Sequence, residues 1–257
     1  MIKIGVLILL MVGCSSPDLF PHAPPSGGVP PSGNGEIVDN TPVDQDPGDI
    51  DGAITVQGQL CTVLMLNSLT TDCVDQGVFV NSEILANGQP TFADQNGAFT
   101  AELFPTDSIL YNAVPSSQEF LASVIEISEA ELNPIIPMVR SFDYQDTLTN
   151  LGATLQNDTA QVLLRFVNES SLPQIRVVVD TVEGGVNVPF YDVETAVGWS
   201  SNGATGIQGS VLIPNVIVTG PTLTVEFSGD LIQPGAVTVL TAANQITIAT
   251  VVAPDVL

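Results

Sequence analysis

Apolar and polar residues alternate with a period of two along much of the C-terminal half, and this pattern constrains the fold more than any other feature. Leu223, Val225 and Phe227 fall on one face of an extended segment, with threonine and glutamate on the other. Residues 237–239 and 246–248 repeat the pattern. Because these segments follow one another closely, with no helical periodicity between them, the sequence predicts an all-β fold of one or two antiparallel β-sandwich domains.

The N-terminal half carries its own strand and turn signals. Phe99, Ala101 and Leu103 alternate with other residues, which predicts a half-buried strand with Phe99 facing inward. Residues 87–88 (Asn-Gly) and 94–97 (Asp-Gln-Asn-Gly) predict turns, because asparagine and glycine tolerate a positive φ. Further strands are predicted at residues 53–57, 61–66, 78–80, 84–85, 120–127, 162–164 and 175–179.

Composition divides the chain into five predicted segments. A connector at residues 129–158 separates the two strand-rich halves, with short helices predicted at 129–132 and 144–151. The prolines within residues 133–137 prevent a continuous helix there, because each disfavours helix in the residue before it. The predicted boundaries are a signal peptide at 1–13, a disordered acidic tether rich in Pro, Gly and Ser at 14–51, a first β-sandwich at 52–128, the connector at 129–158 and a second β-sandwich at 159–257.

One segment, residues 78–103 (VFVNSEILANGQPTFADQNGAFTAEL), resembles the centre of a carboxypeptidase regulatory-like domain. Asp94, Gly97 and Phe99 match the family pattern T-D-x-x-G-x-F, whereas Ala93 stands where threonine is usual. Residues 206–216 loosely resemble another segment of the same family. The resemblance implies a transthyretin-like or Ig-like sandwich in the first half and a related one in the second.

The first residues resemble a bacterial lipoprotein signal. Lys3 precedes a short apolar run at residues 4–12, and Met-Val-Gly leads into Cys14, which is followed by Ser15. The run is too short for a spanning helix of about 20 residues; an ordinary secretory signal is the alternative. The resemblance implies a signal peptide at 1–13 and a lipid on Cys14, with several acyl chains giving a stable anchor. Ser15 implies the outer membrane, with the membrane face left open.

The other two cysteines, Cys61 and Cys73, lie near each other in sequence. Outside the cytoplasm such a pair usually forms a disulfide, which stabilises by about 3 kcal/mol in the chain-entropy model. A metal or redox pair is the alternative, but the spacing is not C-x-x-C and no histidine is nearby.

A strong negative charge limits the partners. The 257 residues contain 28 acids and carry a net charge of −24; without Lys3 the charge is −25. Such a surface repels nucleic acids and anionic headgroups, so attachment to a membrane would have to come from the covalent lipid. Solubility is the simplest role of this charge. A weak calcium candidate, read alternatively as an acidic linker, is formed by the tether residues Asp44, Asp46, Asp49 and Asp51.

Catalytic residue types are scarce. The one histidine, His22, lies in the tether, which argues against Ser-His-Asp and Cys-His catalysis and predicts no cofactor; paired carboxylates remain an alternative. Phe190, Tyr191 and Trp199 flank a Gly-rich stretch at 198–209, which is typical either of a recognition loop or of a sandwich core.

The predicted function is that of a non-enzymatic, lipid-anchored protein of the bacterial cell envelope, on the outer membrane. It would act as a structural, adhesive or binding module with a protein or glycan partner. The alternatives are a carbohydrate-binding or periplasmic accessory module and, less favoured, a carboxylate-based hydrolase.

Overall fold

The computed structural model describes residues 53–73, 76–104, 106, 108–128, 131–174, 176–182, 188–193, 198–201 and 203–254. All of them belong to one compact unit, residues 48–257. The strands are β1 Ile54–Met65, β2 Thr70–Asp72, β3 Glu83–Ala86, β4 Gln89–Phe92, β5 Ala98–Leu103, β6 Ser108–Val114, β7 Ala122–Ser128, β8 Ile135–Met138, β9 Thr159–Val167, β10 Val177–Val182, β11 Phe190–Asp192, β12 Trp199–Ser200, β13 Ser210–Ile217, β14 Thr222–Gly229, β15 Gly235–Leu240 and β16 Gln245–Val252; the helices are a 3-10 helix at Gln76–Phe79 and α1 at Ser141–Asn150. The predicted all-β class is confirmed.

A nine-stranded sheet runs through both halves of the described chain, in the order β12-β11-β13-β9-β16-β7-β6-β3-β4. Most neighbours are antiparallel, but β16 is parallel to both β7 and β9. The C-terminal strand is thus hydrogen-bonded between a strand of the first half and a strand of the second. The predicted sandwiches at 52–128 and 159–257 share this sheet, and their boundaries stay a prediction.

Two smaller sheets cover opposite faces of the long one. On β9, Val162 packs in a core with β10 and β14, whereas its neighbour Leu163 packs in a core with α1 and β1. Successive residues of a strand point to opposite faces. The sheet β10-β14-β15 therefore covers one face in the second half. The sheet of β2, β1, β5 and β8 covers the other face in the first half, over a core that contains Val56, Ala101 and Ile136.

The helix α1 is held against the long sheet by buried polar contacts. The Tyr144 hydroxyl donates to the Gln161 Oε1 of β9 at 2.8 Å, and the same oxygen accepts the Asn215 backbone N–H at 2.9 Å. Gly152, with φ +74°, follows the helix in the left-handed region that ends helices. The helix predicted at 144–151 is present, beginning three residues earlier at Ser141.

Several local predictions were wrong for identifiable reasons. Residues 53–57 and 61–66 are one strand, β1, because Gly58 leaves room for the Phe99 ring instead of breaking the strand. Residues 78–80 are no strand: Phe79 ends the 3-10 helix and packs edge-on against Phe120, with centroids 4.7 Å apart. The described part of 129–132 has no helix. The turns are confirmed, with positive φ at Asn87, Gly88 and Gly97.

Candidate functional site

A shallow groove of about 560 Å³ lies on the small sheet of the first half. Three strands supply its lining, one stretch each from β1, β5 and the approach to β8. The lining residues are Gln57, Gly58, Gln59, Ala98, Phe99, Thr100, Asn133, Pro134 and Ile135. We call this feature the amide groove.

The floor of the amide groove follows from the pairing of its strands. Gln59 is the register partner of Ala98 on one side and of Ile135 on the other, so β1 lies between β5 and β8. Backbone hydrogen bonds of 3.0 Å, from Gln57 to Leu132 and from Gln59 to Pro134, extend this contact beyond β8. The prolines that forbid a helix here thus place an extended segment beside β1.

Gly58 and Phe99 fix the spacing beneath the groove. They are register partners, and the Phe99 ring covers the glycine so closely that a Cβ there would lie 2.2 Å from Phe99 Cζ. Phe99 also packs edge-on against Tyr111, with centroids 5.9 Å apart. A glycine under an aromatic ring permits this close approach, because it has no side chain to displace.

The lining is neutral and rich in hydrogen-bonding groups. The amide of Gln59 is occupied, since its Nε2 donates to the Cys73 carbonyl at 3.3 Å and to the Asn96 carbonyl at 3.1 Å. The Gln57 and Asn133 amides form no side-chain hydrogen bond with the residues that the structure describes. Each offers donors and acceptors at once. Beside them Ile135 exposes 45% of its surface, so the groove suits an uncharged, hydroxyl- or amide-bearing ligand with an apolar face.

The residues that carried the resemblance shape one end of the groove. Asp94 Oδ1 accepts backbone N–H groups of Asn96 at 2.7 Å and Ala98 at 3.0 Å, and Gly97 takes the positive φ of the turn. Asp94 is therefore a turn-forming residue that sets where β5 begins. Its role here is positional.

The predicted disulfide between Cys61 and Cys73 is present, with Cα atoms 4.6 Å apart. It ties β1 to the segment after β2, across a sequence separation of 12 residues. Because the Cys73 carbonyl accepts the Gln59 amide, this crosslink also supports the rim of the amide groove.

The three aromatic residues predicted as a binding set lie in strands. Phe190 and Tyr191 belong to β11 and are buried, and Trp199 of β12 is partly buried against the α1 core. The Tyr191 hydroxyl accepts the Val179 backbone N–H of β10 at 3.1 Å. Phe190 and Tyr191 thus lie in the core, which was the alternative to a recognition loop. Binding through Trp199 stays a prediction.

Beside these aromatics, Asp192 organises the Gly-rich stretch. Its carboxylate is almost fully buried and accepts backbone N–H groups of Gly206, Gln208 and Ser210 at 3.0, 2.7 and 2.8 Å. Burial raises the pKa of Asp192, and the three hydrogen bonds oppose that rise. With both oxygens engaged by backbone, this acid is a structural anchor.

Other predicted sites lie outside the described residues, namely Cys14, His22 and the four tether aspartates Asp44, Asp46, Asp49 and Asp51. Among the described residues no three His, Cys, Asp or Glu side chains come together as a metal site, and no helix is long and apolar enough to cross a membrane.

Sequence reasoning did not find the amide groove. Gln57 ends one predicted strand and Gln59 lies in the gap before the next, so their placement on one polar face became visible only with the continuous strand β1. The contribution of Asn133 had no local signal, because it depends on the parallel pairing of β8 with β1.

Comparisons with known proteins give no family. No family model matches the chain, and no curated protein matches it. Among solved structures, GBS52, the minor pilin of Streptococcus agalactiae, is 10% identical, with 79% of this chain and 97% of that chain covered and a TM-score of 0.27. The shaft pilin spaA from Lactobacillus rhamnosus GG is 9% identical over 79% of this chain and 97% of that chain, with a TM-score of 0.23.

A third similar structure is the TIE protein of Bacillus anthracis, 9% identical with a TM-score of 0.23. The match covers 80% of this chain and 34% of that protein, so the chain spans about a third of its length. TM-scores of this size do not establish a shared fold, and the all-β class of this chain rests on its own strands.

Proposed function

We propose that this chain is a non-enzymatic, lipid-anchored protein of the bacterial cell envelope that acts as an adhesive or binding module. The carboxypeptidase regulatory-like assignment of its first half belongs to the same proposal. Anchoring would be through Cys14, with the tether at 14–51 carrying the folded unit away from the membrane. The ligand site would be the amide groove, and its ligand an uncharged polar molecule such as a glycan.

One observation carries the choice of ligand: the amides of Gln57 and Asn133 form no side-chain hydrogen bond with the described residues, and they lie in a groove without a charged lining residue. A charged ligand would find no opposite charge there, whereas hydroxyl groups can both donate to and accept from an amide.

A glycan array tests the ligand class. The wild type is compared with a Gln57→Ala/Asn133→Ala double variant, and we expect the wild type to bind a set of neutral glycans that the variant binds at least about tenfold more weakly, about 1.4 kcal/mol. The matched control is Gln89→Ala, which removes an exposed glutamine on β4 and should bind as the wild type does. Binding that survives in the double variant, or no glycan binding at all, contradicts the assignment.

Metabolic labelling with palmitate tests the anchor separately. The wild type should incorporate label and partition with membranes, and a Cys14→Ala variant should do neither. Label retained by the variant, or absent from the wild type, contradicts lipidation of Cys14.

A further inference from the structure

A second surface of the first half exposes apolar side chains in rows. Glu83 of β3 is the register partner of both Phe92 of β4 and Val114 of β6, so these three side chains lie in one row on the same face. Phe92 exposes 60% and Val114 39% of its surface. Ile84, the next residue along β3, points the other way into the core. The row therefore lies on the face of the nine-stranded sheet that points away from the sheet of β2, β1, β5 and β8.

A second row lies beside the first. Leu85 is the register partner of both Pro90 and Asn112. Leu85 and Asn112 are half-buried and Pro90 is exposed. The two rows make one surface, which we call the Phe92 face. In contrast to apolar residues exposed singly, grouped apolar residues on a rigid sheet mark interaction surfaces.

Two polar groups on the Phe92 face lack partners. The Glu83 carboxylate forms no hydrogen bond or ion pair with the residues that the structure describes. The buried Asn112 Oδ1 has no hydrogen-bond donor among the described residues. The Glu83 carboxylate is the acceptor that a partner could reach on this face, and the group that complements it is a donor, preferably a cation.

This chain is a poor source of that cation. Lys3 is its only lysine, and it has three arginines against 28 acids. One of these, Arg140, lies over the Phe120 ring with its Cζ 5.9 Å from the centroid. A second copy would also bring the same large negative charge, which opposes self-association.

We propose that the Phe92 face binds an extended, cationic and apolar segment of another protein. Its apolar side chains would cover Phe92 and Val114, and a lysine or arginine between them would reach Glu83. Successive side chains of an extended segment point to opposite faces. A segment in which basic and apolar residues alternate would therefore turn its basic side chains to one face and its apolar side chains to the other. The segment that fits best therefore carries basic and apolar residues on the same face. This partner site is separate from the amide groove.

The test uses a synthetic peptide that repeats Lys-Ser-Val-Ser, with every lysine and valine on one face when extended, and a matched peptide with glutamate in place of lysine. Binding to the full chain is followed by fluorescence anisotropy. We expect saturable binding of the lysine peptide alone, and a loss of about tenfold in affinity, about 1.4 kcal/mol, for Glu83→Gln/Phe92→Ser. The control Glu169→Gln/Leu172→Ser makes the same Glu→Gln change and a comparable apolar-to-serine change at another exposed site and should bind as the wild type does.

Equal loss in both double variants would show general charge attraction and overturn the proposal, as would no loss or no binding. A dimer in sedimentation that Glu83→Gln/Phe92→Ser dissociates would overturn the choice of partner in favour of a second copy. The groove variant Gln57→Ala/Asn133→Ala should bind the peptide normally, so a failure of the glycan assignment is distinguishable from a failure here. Unchanged thermal midpoints establish that the variants are folded.

Discussion

At the scale of single residues, Gly58 shows how one missing side chain sets the spacing of a sheet. Its sequence neighbourhood resembles a break between two strands, yet the strand continues because the Phe99 ring occupies the place of a side chain. Alternation could not reveal this, since the partner of Gly58 lies 41 positions further along the chain and pairs with it only in the folded sheet.

Replacing Gly58 with alanine should therefore destabilise the protein. The new Cβ would lie 2.2 Å from Phe99 Cζ, and overpacking of this kind costs about 1–3 kcal/mol. Urea unfolding measures the change in the free energy of unfolding. Gly220→Ala is the control, because nothing lies within 4 Å of that Cβ; equal effects of the two substitutions would contradict the packing described here.

Asp192 provides a second test at this scale. Asp192→Asn should lower the free energy of unfolding by about 1–3 kcal/mol at neutral pH, because an amide cannot accept all three backbone N–H groups. Urea unfolding measures the loss, and Asp146→Asn on the exposed side of α1 is the control.

The difference in the free energy of unfolding between the wild type and Asp192→Asn should also depend on pH, in a defined direction. The pKa of Asp192 is raised in the folded state, so the folded protein binds the proton more tightly than the unfolded chain. The stability of the wild type relative to Asp192→Asn should rise as pH falls through the folded pKa, and level off below the unfolded value of about 3.9. A difference that shrinks on acidification would contradict a raised pKa.

At the scale of elements, strands with one buried face give the clearest alternation in the sequence. β5 and β14 bury every second residue, and their alternation is visible in any window. β9 is buried on both faces, so it shows as an apolar run without a period. β8 and β11 are short, and their strand structure depends on neighbours far along the chain. The parallel pairs of β16 leave no local trace.

The anchoring of α1 can be tested with two tyrosines. Tyr144→Phe should lower the free energy of unfolding by about 0.5–1.5 kcal/mol, because it removes the hydrogen bond to Gln161. Tyr111→Phe is the matched control: that hydroxyl is buried and has no hydrogen-bond partner in the described part of the chain, and its removal should leave stability unchanged or raise it. Thermal and urea unfolding measure both, and the opposite order would contradict the described contacts.

At the scale of the whole molecule, the dominant feature is the excess of acidic over basic side chains. Three arginines cannot neutralise 28 acids, so most carboxylates repel one another. Composition alone predicted this property, and the fold does not alter it. The arrangement of the folded unit, with small sheets on opposite faces of a shared long sheet, required the structure.

Added salt should therefore stabilise the protein. Raising NaCl to about 1 M shortens the screening length to about 3 Å, and the thermal midpoint should rise steadily over this range. Tetramethylammonium chloride at equal ionic strength is the control for screening and should act alike. A midpoint that falls or stays constant would contradict net repulsion.

The calcium candidate at Asp44, Asp46, Asp49 and Asp51 is tested with CaCl₂ at equal ionic strength. It would be supported by an additional rise of the thermal midpoint that is lost when these aspartates are changed to asparagine.

An NMR titration tests most directly whether this chain binds a neutral ligand in the amide groove. Backbone amide shifts of the isotope-labelled protein are followed as a neutral glycan selected on the array is added. The shifts should cluster at residues 57–59, 98–100 and 133–135 and vanish in the Gln57→Ala/Asn133→Ala variant. Shifts centred elsewhere, or none at saturating glycan, would contradict the assignment.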